Sequence, residues 1–250
     1  MIPYFPPRYL FRRYEILRHI RPAESFLEVG AGGLALSSEL TRYFKQGHAI
    51  DFSPDIAEIY RQLPDKIREK LTFQYGDIYQ LSPDKKYGCI IACEVMEHVE
   101  DDVQFLHILK SLLTPQGQLI LSVPARMKFW TIHDDIVGHL RRYEKAELIQ
   151  LMQRVGFESV KIMAYGYPFV NGLHFLRALY AKKQAVIKQQ WTAEQQTQHS
   201  GIHHVPSSWN ILGLFVNPYT FLPLNWIAQL FNHSDLSEGY LIIAQVEKKP

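Results

Sequence analysis

Short apolar runs alternate with amphipathic stretches along most of this chain. After a proline-rich start, YLFRRYEILRHI carries apolar residues at helical spacing and predicts an amphipathic helix. Residues 26–29 are apolar and predict a first strand. Residues 34–45 read as a helix, with Gly47 placed to cap its end. Further strands are predicted at 48–51, 71–75, 89–93, 118–123, 159–164 and 240–246. Between them, Ser53 caps a helix with Pro54 in its first turn. Another helix at 103–113 ends in the turn Thr114-Pro115-Gln116-Gly117, and a third at 145–155 is closed by Gly156. Strands alternating with helices imply an α/β fold, with a mostly parallel sheet covered on both faces. No internal repeat interrupts the pattern.

The alternation breaks before the last strand. About seventy residues intervene there, too many for a plain connection. Residues 173–189 read as a basic helix carrying Arg177, Lys182, Lys183 and Lys188, and 191–204 as a polar loop. Residues 205–234 contain no Lys, Arg, Asp or Glu. Within them WNILGLFVNPYTFLPLNWIAQLF has the length of a membrane span. Pro218 and Pro223, with Asn210, Asn217 and Asn225, argue against one. Two short helices forming an apolar cap is the expectation. The plan is one domain over 1–250, with an N-terminal helical segment at 1–22 and the cap inserted at 167–236.

Composition adds bounds. The 250 residues are 47% hydrophobic and 21% charged, ordinary for a globular domain with a substantial core. A net charge of +2 does not call for nucleic acid, which is not expected as a partner. Cys89 and Cys93 share one strand face but stand too far apart to bridge, so both read as buried thiols. MIPYFPPRYLFRR lacks the apolar core of a secretory signal, so the cytoplasm is expected, with peripheral membrane contact left open.

The candidate chemistry starts at FLEVGAGGLAL. A glycine-rich turn there, between a strand and a helix, lets backbone N–H groups approach a ligand. Gly30, Gly32 and Ala35 fit the dinucleotide pattern, and Asp51 follows where a ribose-binding acid would stand. An NAD-dependent reductase is therefore one reading. Glu28 opposes it, because a carboxylate two residues before the first glycine repels a pyrophosphate. The same carboxylate favours the ammonium of a methionine tail, as in S-adenosylmethionine. Asp51, with Phe52 beside it, and Asp77, with Ile78, end the next two strands. Acids at the carboxyl ends of successive strands mark the ligand edge of an open α/β sheet.

With YGCIIACEVMEHVEDD the set LEVGAGG, AIDFSP, YGDI, LLTPQGQLILSVP and GHLRRYEKAELIQLMQRVGF is complete. The chain resembles the class I S-adenosylmethionine-dependent methyltransferases, in the branch that includes the quinone-biosynthesis O-methyltransferases. The resemblance implies a Rossmann-like seven-stranded sheet whose last strand is antiparallel and inserted beside the fifth. It also implies that Glu28, Gly30, Ala31 and Gly32 hold the methionine end and that Asp51 and Phe52 hold ribose and adenine. Asp77 and Ile78 would frame the adenine, with Cys93 and Val95 lining the cofactor. Leu34 departs from the family's usual glycine, and Gln116-Gly117 replaces the commoner Gly-Gly.

Methyl transfer expels a neutral thioether, so no metal is expected; a hydroxyl nucleophile needs a base. His98 and His139 are the candidates. His98 also reads as a loop-ordering residue beside Glu94 or Glu97. Trp130, His133, Arg142 and Tyr143 are candidate substrate contacts, and Asp134 could line the pocket with the first two; for Arg142 and Tyr143 the favoured reading is that they anchor the following helix. His199, His203 and His204 lack supporting ligands and read as a solvated loop. The expected partner is a small apolar or aromatic acceptor, with a membrane surface or a second copy meeting 170–234 left open. A non-catalytic subunit that binds S-adenosylmethionine remains the alternative.

Overall fold

The structure is a computed structural model describing residues 4–174, Leu179 and 212–246. Most of the predicted basic helix, with Arg177, Lys182, Lys183 and Lys188, lies outside the described residues. So do the loop with His199, His203 and His204, and cap residues 205–211.

Seven strands form one sheet. They are β1 (Ser25–Val29), β2 (Gln46–Asp51), β3 (Leu71–Tyr75), β4 (Tyr87–Cys93), β5 (Leu113–Pro124), β6 (Glu158–Ala164) and β7 (Gly239–Gln245). Their order is β3-β2-β1-β4-β5-β7-β6. Six strands run in one direction, and β7 alone runs against them, antiparallel to both β5 and β6, with Gln118 opposite Gln245 and Pro124 opposite Gly239. The helices are α1 (Pro7–His19), α2 (Ala35–Leu40), α3 (Ile56–Arg61), α4 (Asp65–Arg68), α5 (Asp102–Ser111), α6 (Ile132–Val137), α7 (Lys145–Val155), α8 (Phe169–Gly172) and α9 (Leu222–Gln229).

Period-two alternation divides the sheet's side chains between two cores. In β4, Ile90 and Ala92 join the cluster under α5 and α7. Cys89, Ile91 and Cys93 join the cluster on the opposite face, with Leu10, Phe11 and Ile16 of α1. β7 divides likewise, Tyr240 and Ile242 to one side and Leu241 and Ile243 to the other. Both cysteines are buried and unbridged. The apolar runs are thus strands buried on both faces. α1 is anchored through Phe11, whose ring lies 5.7 Å from Phe169 and 5.4 Å from Phe221. The cap helix α9 also meets α1, where the Gln229 amide donates to the Tyr14 hydroxyl at 2.7 Å. No helix among the described residues is long and apolar enough to cross a membrane.

Several predicted boundaries move. α2 ends at Leu40, and Gly47 lies inside β2 rather than capping a helix. The reason is packing: a Cβ on Gly47 would stand 2.4 Å from the Phe26 ring. The helix after Ser53 begins two residues later than predicted, at Ile56 with Asp55 before it. The segment Thr114–Gly117 belongs to β5, where the β4 register shifts between Tyr87 and Cys89.

Gly47→Ala is expected to cost about 1–3 kcal/mol through overpacking against Phe26. It should appear as a lower urea midpoint at unchanged slope, partly recovered by adding Phe26→Leu. An unchanged midpoint would show that this contact yields freely.

Candidate active site

The site is built along the carboxyl edge of the sheet. β1 leaves its pleat at Gly30, whose φ of 71° is a left-handed conformation. A side chain there would strike Val95, whose Cγ2 lies 2.4 Å from the Cβ position. Gly32 also has positive φ, and its amide donates to Asp51 Oδ2 at 2.7 Å. The Gly30 amide donates to the Ile50 carbonyl at 2.9 Å, so β2 holds the turn from both backbone and side chain. Leu34 is fully buried and adopts the left-handed conformation at the start of α2. That conformation normally favours glycine; the apolar packing of Leu34 offsets its strain.

Two carboxylates flank this turn. Glu28 is buried and accepts a hydrogen bond from the Ser37 hydroxyl. Burial pushes its carboxyl up to about 7, against the opposing pull of Ser37 and Arg12. Asp51 accepts from the Gly32 and Ser53 amides. Each carboxylate oxygen has two acceptor positions, so Asp51 retains capacity for ligand hydroxyls. Phe52 is exposed beside it. At the end of β3, Asp77 caps a short 3-10 turn (Ile78–Gln80) by accepting from the Tyr79 amide at 3.1 Å, and Ile78 is buried. Cys93 lies buried at the end of β4, its thiol pushed up to about 11 by burial. The fold thus gathers Glu28, Gly30, Ala31, Gly32, Asp51 and Val95 about one turn, with Asp77 on the next strand end.

A second group lies where β4 opens. Glu94, with φ 56°, receives Arg8 at 2.8 Å and Arg12 at 3.2 Å, both from α1. Ser122 of β5 donates to it at 2.8 Å. Burial alone would raise this carboxyl, but the two guanidiniums and the hydroxyl outweigh it and hold it at about 2. Glu97, three residues on, is 0% exposed, and neither of its carboxyl oxygens has a hydrogen-bond partner. Burial, reinforced by Glu94, raises it well above the usual carboxylate range.

His98 and His139 come together here, their ring centroids 4.9 Å apart at 74°. His98 Nδ1 lies 3.1 Å from the Gly138 carbonyl. A carbonyl only accepts, so Nδ1 carries the hydrogen and Nε2 keeps its lone pair. Burial and the neighbouring His139 lower His98 to about 4, so it is uncharged at neutral pH. His139 Nδ1 lies 2.8 Å from Asp134 Oδ1, and its Nε2 lies 3.6 Å from Glu97. The ligand atoms of Glu97, His98 and His139 fall within 4.8 Å of one another, close enough together to hold a metal ion. No other such group occurs among the described residues.

The candidate substrate contacts fall in two sets. Arg142 and Tyr143 are buried and engaged internally. Arg142 pairs with Asp134 at 2.8 and 3.0 Å, and the Tyr143 hydroxyl reaches the Met96 carbonyl and Asp102 at 3.2 Å. This corresponds to the anchoring reading of these two rather than to substrate contact. Trp130 and His133 are half-buried at the start of α6, where Trp130 Nε1 donates to Asp135 at 3.1 Å.

Sequence reading missed Arg8, Arg12, Ser37 and Ser122, and it placed Asp134 beside Trp130 and His133 as a pocket residue rather than as the partner of His139 and Arg142. The spacing of Arg8 and Arg12, four apart on one face of α1, was the available signal.

A methyltransferase-domain family model matches residues 6–162. A probable S-adenosylmethionine-dependent methyltransferase of Mycolicibacterium smegmatis is 27% identical over 161 residues, 60% of this chain and 60% of that protein. The mitochondrial ubiquinone biosynthesis O-methyltransferase of Schizosaccharomyces pombe is 28% identical over 185 residues, 71% of this chain and 65% of that protein. The aligned region is less than two thirds of either relative. Among solved structures, a phosphoethanolamine N-methyltransferase of Haemonchus contortus in complex with S-adenosyl-L-methionine superposes with a TM-score of 0.54 at 14% identity. That match covers 95% of this chain and 52% of that one, and at such identity the likeness is one of fold. A family model spanning more than half of the chain, on a sheet with this strand order and this glycine turn, establishes that the chain belongs to the methyltransferase-domain family.

Proposed function

We propose that this chain transfers a methyl group from S-adenosylmethionine to an oxygen of a small apolar or aromatic acceptor, releasing S-adenosylhomocysteine. The observation that carries the reading is the glycine turn set between Glu28 and Asp51. A doubly anionic pyrophosphate would meet repulsion there, whereas an ammonium beside a sulfonium is attracted. This disfavours the reductase reading. A non-catalytic subunit would retain the same turn but would not need two imidazoles brought together at the end of β4.

In this reading Glu28 takes the ammonium, Asp51 the ribose hydroxyls, and Asp77 the adenine edge. Methyl transfer proceeds in line, with the acceptor oxygen opposite sulfur in a site that excludes water. His98 and His139 supply the lone pairs that receive the acceptor proton. The cap shields the acceptor: α9 packs on α1 through Gln229, and Phe221 packs on Phe11. Its outer side exposes Phe215, Tyr219, Trp226 and Leu230 in a stretch without charge, which suits an apolar acceptor.

Glu28 must be ionised to hold an ammonium. S-adenosylhomocysteine affinity is therefore expected to weaken below pH 7 by up to about tenfold per unit, the carboxyl standing at about 7. Calorimetry on Glu28→Gln should show weaker binding with that slope lost; a slope kept in the variant would remove Glu28 from the role.

An acceptor screen read as S-adenosylhomocysteine release tests the activity. With the acceptor found, His98→Gln or His139→Gln should lower kcat by about 10²–10⁴ for whichever residue is the base. Turnover is expected to persist in excess EDTA. Loss in chelator, restored by a divalent cation, would instead give Glu97, His98 and His139 to a metal; full turnover in both variants would remove the base.

Replacing Phe215, Tyr219, Trp226 and Leu230 together by Ser should change stability by less than about 0.5 kcal/mol per site. It should raise KM most for the most apolar acceptor. An unaltered acceptor profile would separate the cap from substrate choice.

A further inference from the structure

The methyl-transfer reading assigns a base to a pair of histidines without saying which, or what holds it. Resting on that reading, we infer that His139 is the base and that Asp134 is its positioning residue. Asp134 is 0% exposed, and both of its oxygens are committed. Oδ1 accepts from His139 Nδ1 at 2.8 Å and Arg142 Nε at 2.8 Å. Oδ2 accepts from Arg142 Nη2 at 3.0 Å and the Thr131 amide at 2.8 Å. Arg142 Nη1 donates in turn to the Ala125 carbonyl at 3.2 Å, tying the group to the end of β5. The His139 amide donates to the Asp134 carbonyl at 2.9 Å, so ring and backbone are held by one residue.

This geometry selects a tautomer. A carboxylate clamped by a guanidinium and an amide has no proton to give, so His139 Nδ1 must carry the hydrogen. The lone pair then sits on Nε2, on the side of Glu97 and His98. A ring free to choose would also adopt the Nε2–H form, which cannot take a proton there. His98 has the neutral Gly138 carbonyl behind it, and the Glu94 carboxylate acts on it only through space, without a hydrogen bond to the ring. In the reaction the acceptor O–H bond breaks and its proton goes to His139 Nε2. The oxygen electron pair forms the bond to the methyl carbon, the C–S bond breaks, and its pair leaves on sulfur. The resulting imidazolium faces Asp134 until solvent takes the proton. The arrangement parallels in principle the orienting acid of a hydrolase triad, where the acid sets the ring and remains ionised.

The test is long-range ¹H–¹⁵N NMR of histidine-labelled protein, paired with kinetics. In the wild-type chain His139 is expected as the Nδ1–H form. Asp134→Asn should move it toward Nε2–H and lower kcat by about 10²–10⁴, as loss of an orienting acid does. KM and S-adenosylhomocysteine affinity should stay within about threefold, since binding does not use this network. Arg142→Gln removes the clamp but leaves the acceptor, so it should keep the Nδ1–H form. A wild-type Nε2–H signal overturns the inference without any variant, which covers the case in which Asp134→Asn does not fold. So does a folded Asp134→Asn chain with unchanged kcat, or one whose tautomer does not move. The NMR arm needs no turnover. A chain that bound no S-adenosylmethionine yet showed the tautomer and its shift would fail the methyl-transfer reading and leave the positioning by Asp134 standing.

Discussion

The hydrogen bond from the Gly32 amide to the Asp51 carboxylate joins the two strands on which the rest of the site is hung. Without it the turn after β1 would be a flexible glycine loop, with a large conformational entropy to lose on meeting any ligand. With it, the turn is set in advance by the neighbouring strand. Gly30 can then lie close against Val95, at the mouth of β4, and the ends of β1, β2 and β4 become one surface. The same constraint explains why Leu34 can occupy a left-handed conformation. Its backbone is dictated by the turn, and its fully buried side chain contributes packing that a glycine would not.

Three buried or half-buried glutamates belong to this edge of the sheet, and their surroundings shift their titration differently. Glu94 is ionised because two guanidiniums face it. Glu97 is raised well above the usual carboxylate range because it has burial and a like charge, without a hydrogen-bond donor. Glu28 lies between, with one hydroxyl and the nearby Arg12 moderating its burial. Environments that separate the titration of like groups are characteristic of sites that handle charge and protons. A purely structural edge would have no physical reason to bury a carboxyl with no partner, since that costs stability.

The sheet was legible in the sequence because its strands are buried on both faces and read as short apolar runs between turn residues. Boundaries failed where packing overrode local signals. Gly47 looks like a helix cap but serves the Phe26 ring, and Thr114-Pro115-Gln116-Gly117 looks like a turn but runs within β5. The glycine turn with Glu28 and Asp51 could be read from spacing because all its parts lie within two strand–helix units. Arg8 and Arg12 could not, nor could the pairing of Asp134. Their partners lie far along the chain or across loops whose course the sequence does not reveal: Glu94 for the arginines, His139 and Arg142 for the aspartate. Arg142 reads in sequence as an anchor, but only the fold shows that what it pairs with is Asp134.

The N-terminal helix follows from the same reasoning. Read as sequence, residues 1–22 are a segment preceding the first strand. In the fold, α1 buries Leu10, Phe11 and Ile16 against the sheet and sends Arg8 and Arg12 to the end of β4. Those two cations keep Glu94 charged, and the charge on Glu94 in turn adds to burial in raising Glu97. Arg12 also acts on Glu28, on the other side of the site. α1 therefore couples the turn after β1 to the histidine cluster after β4. Losing its arginines would alter the protonation of the site even if the helix remained packed, which makes α1 part of the chemistry rather than an attachment to it.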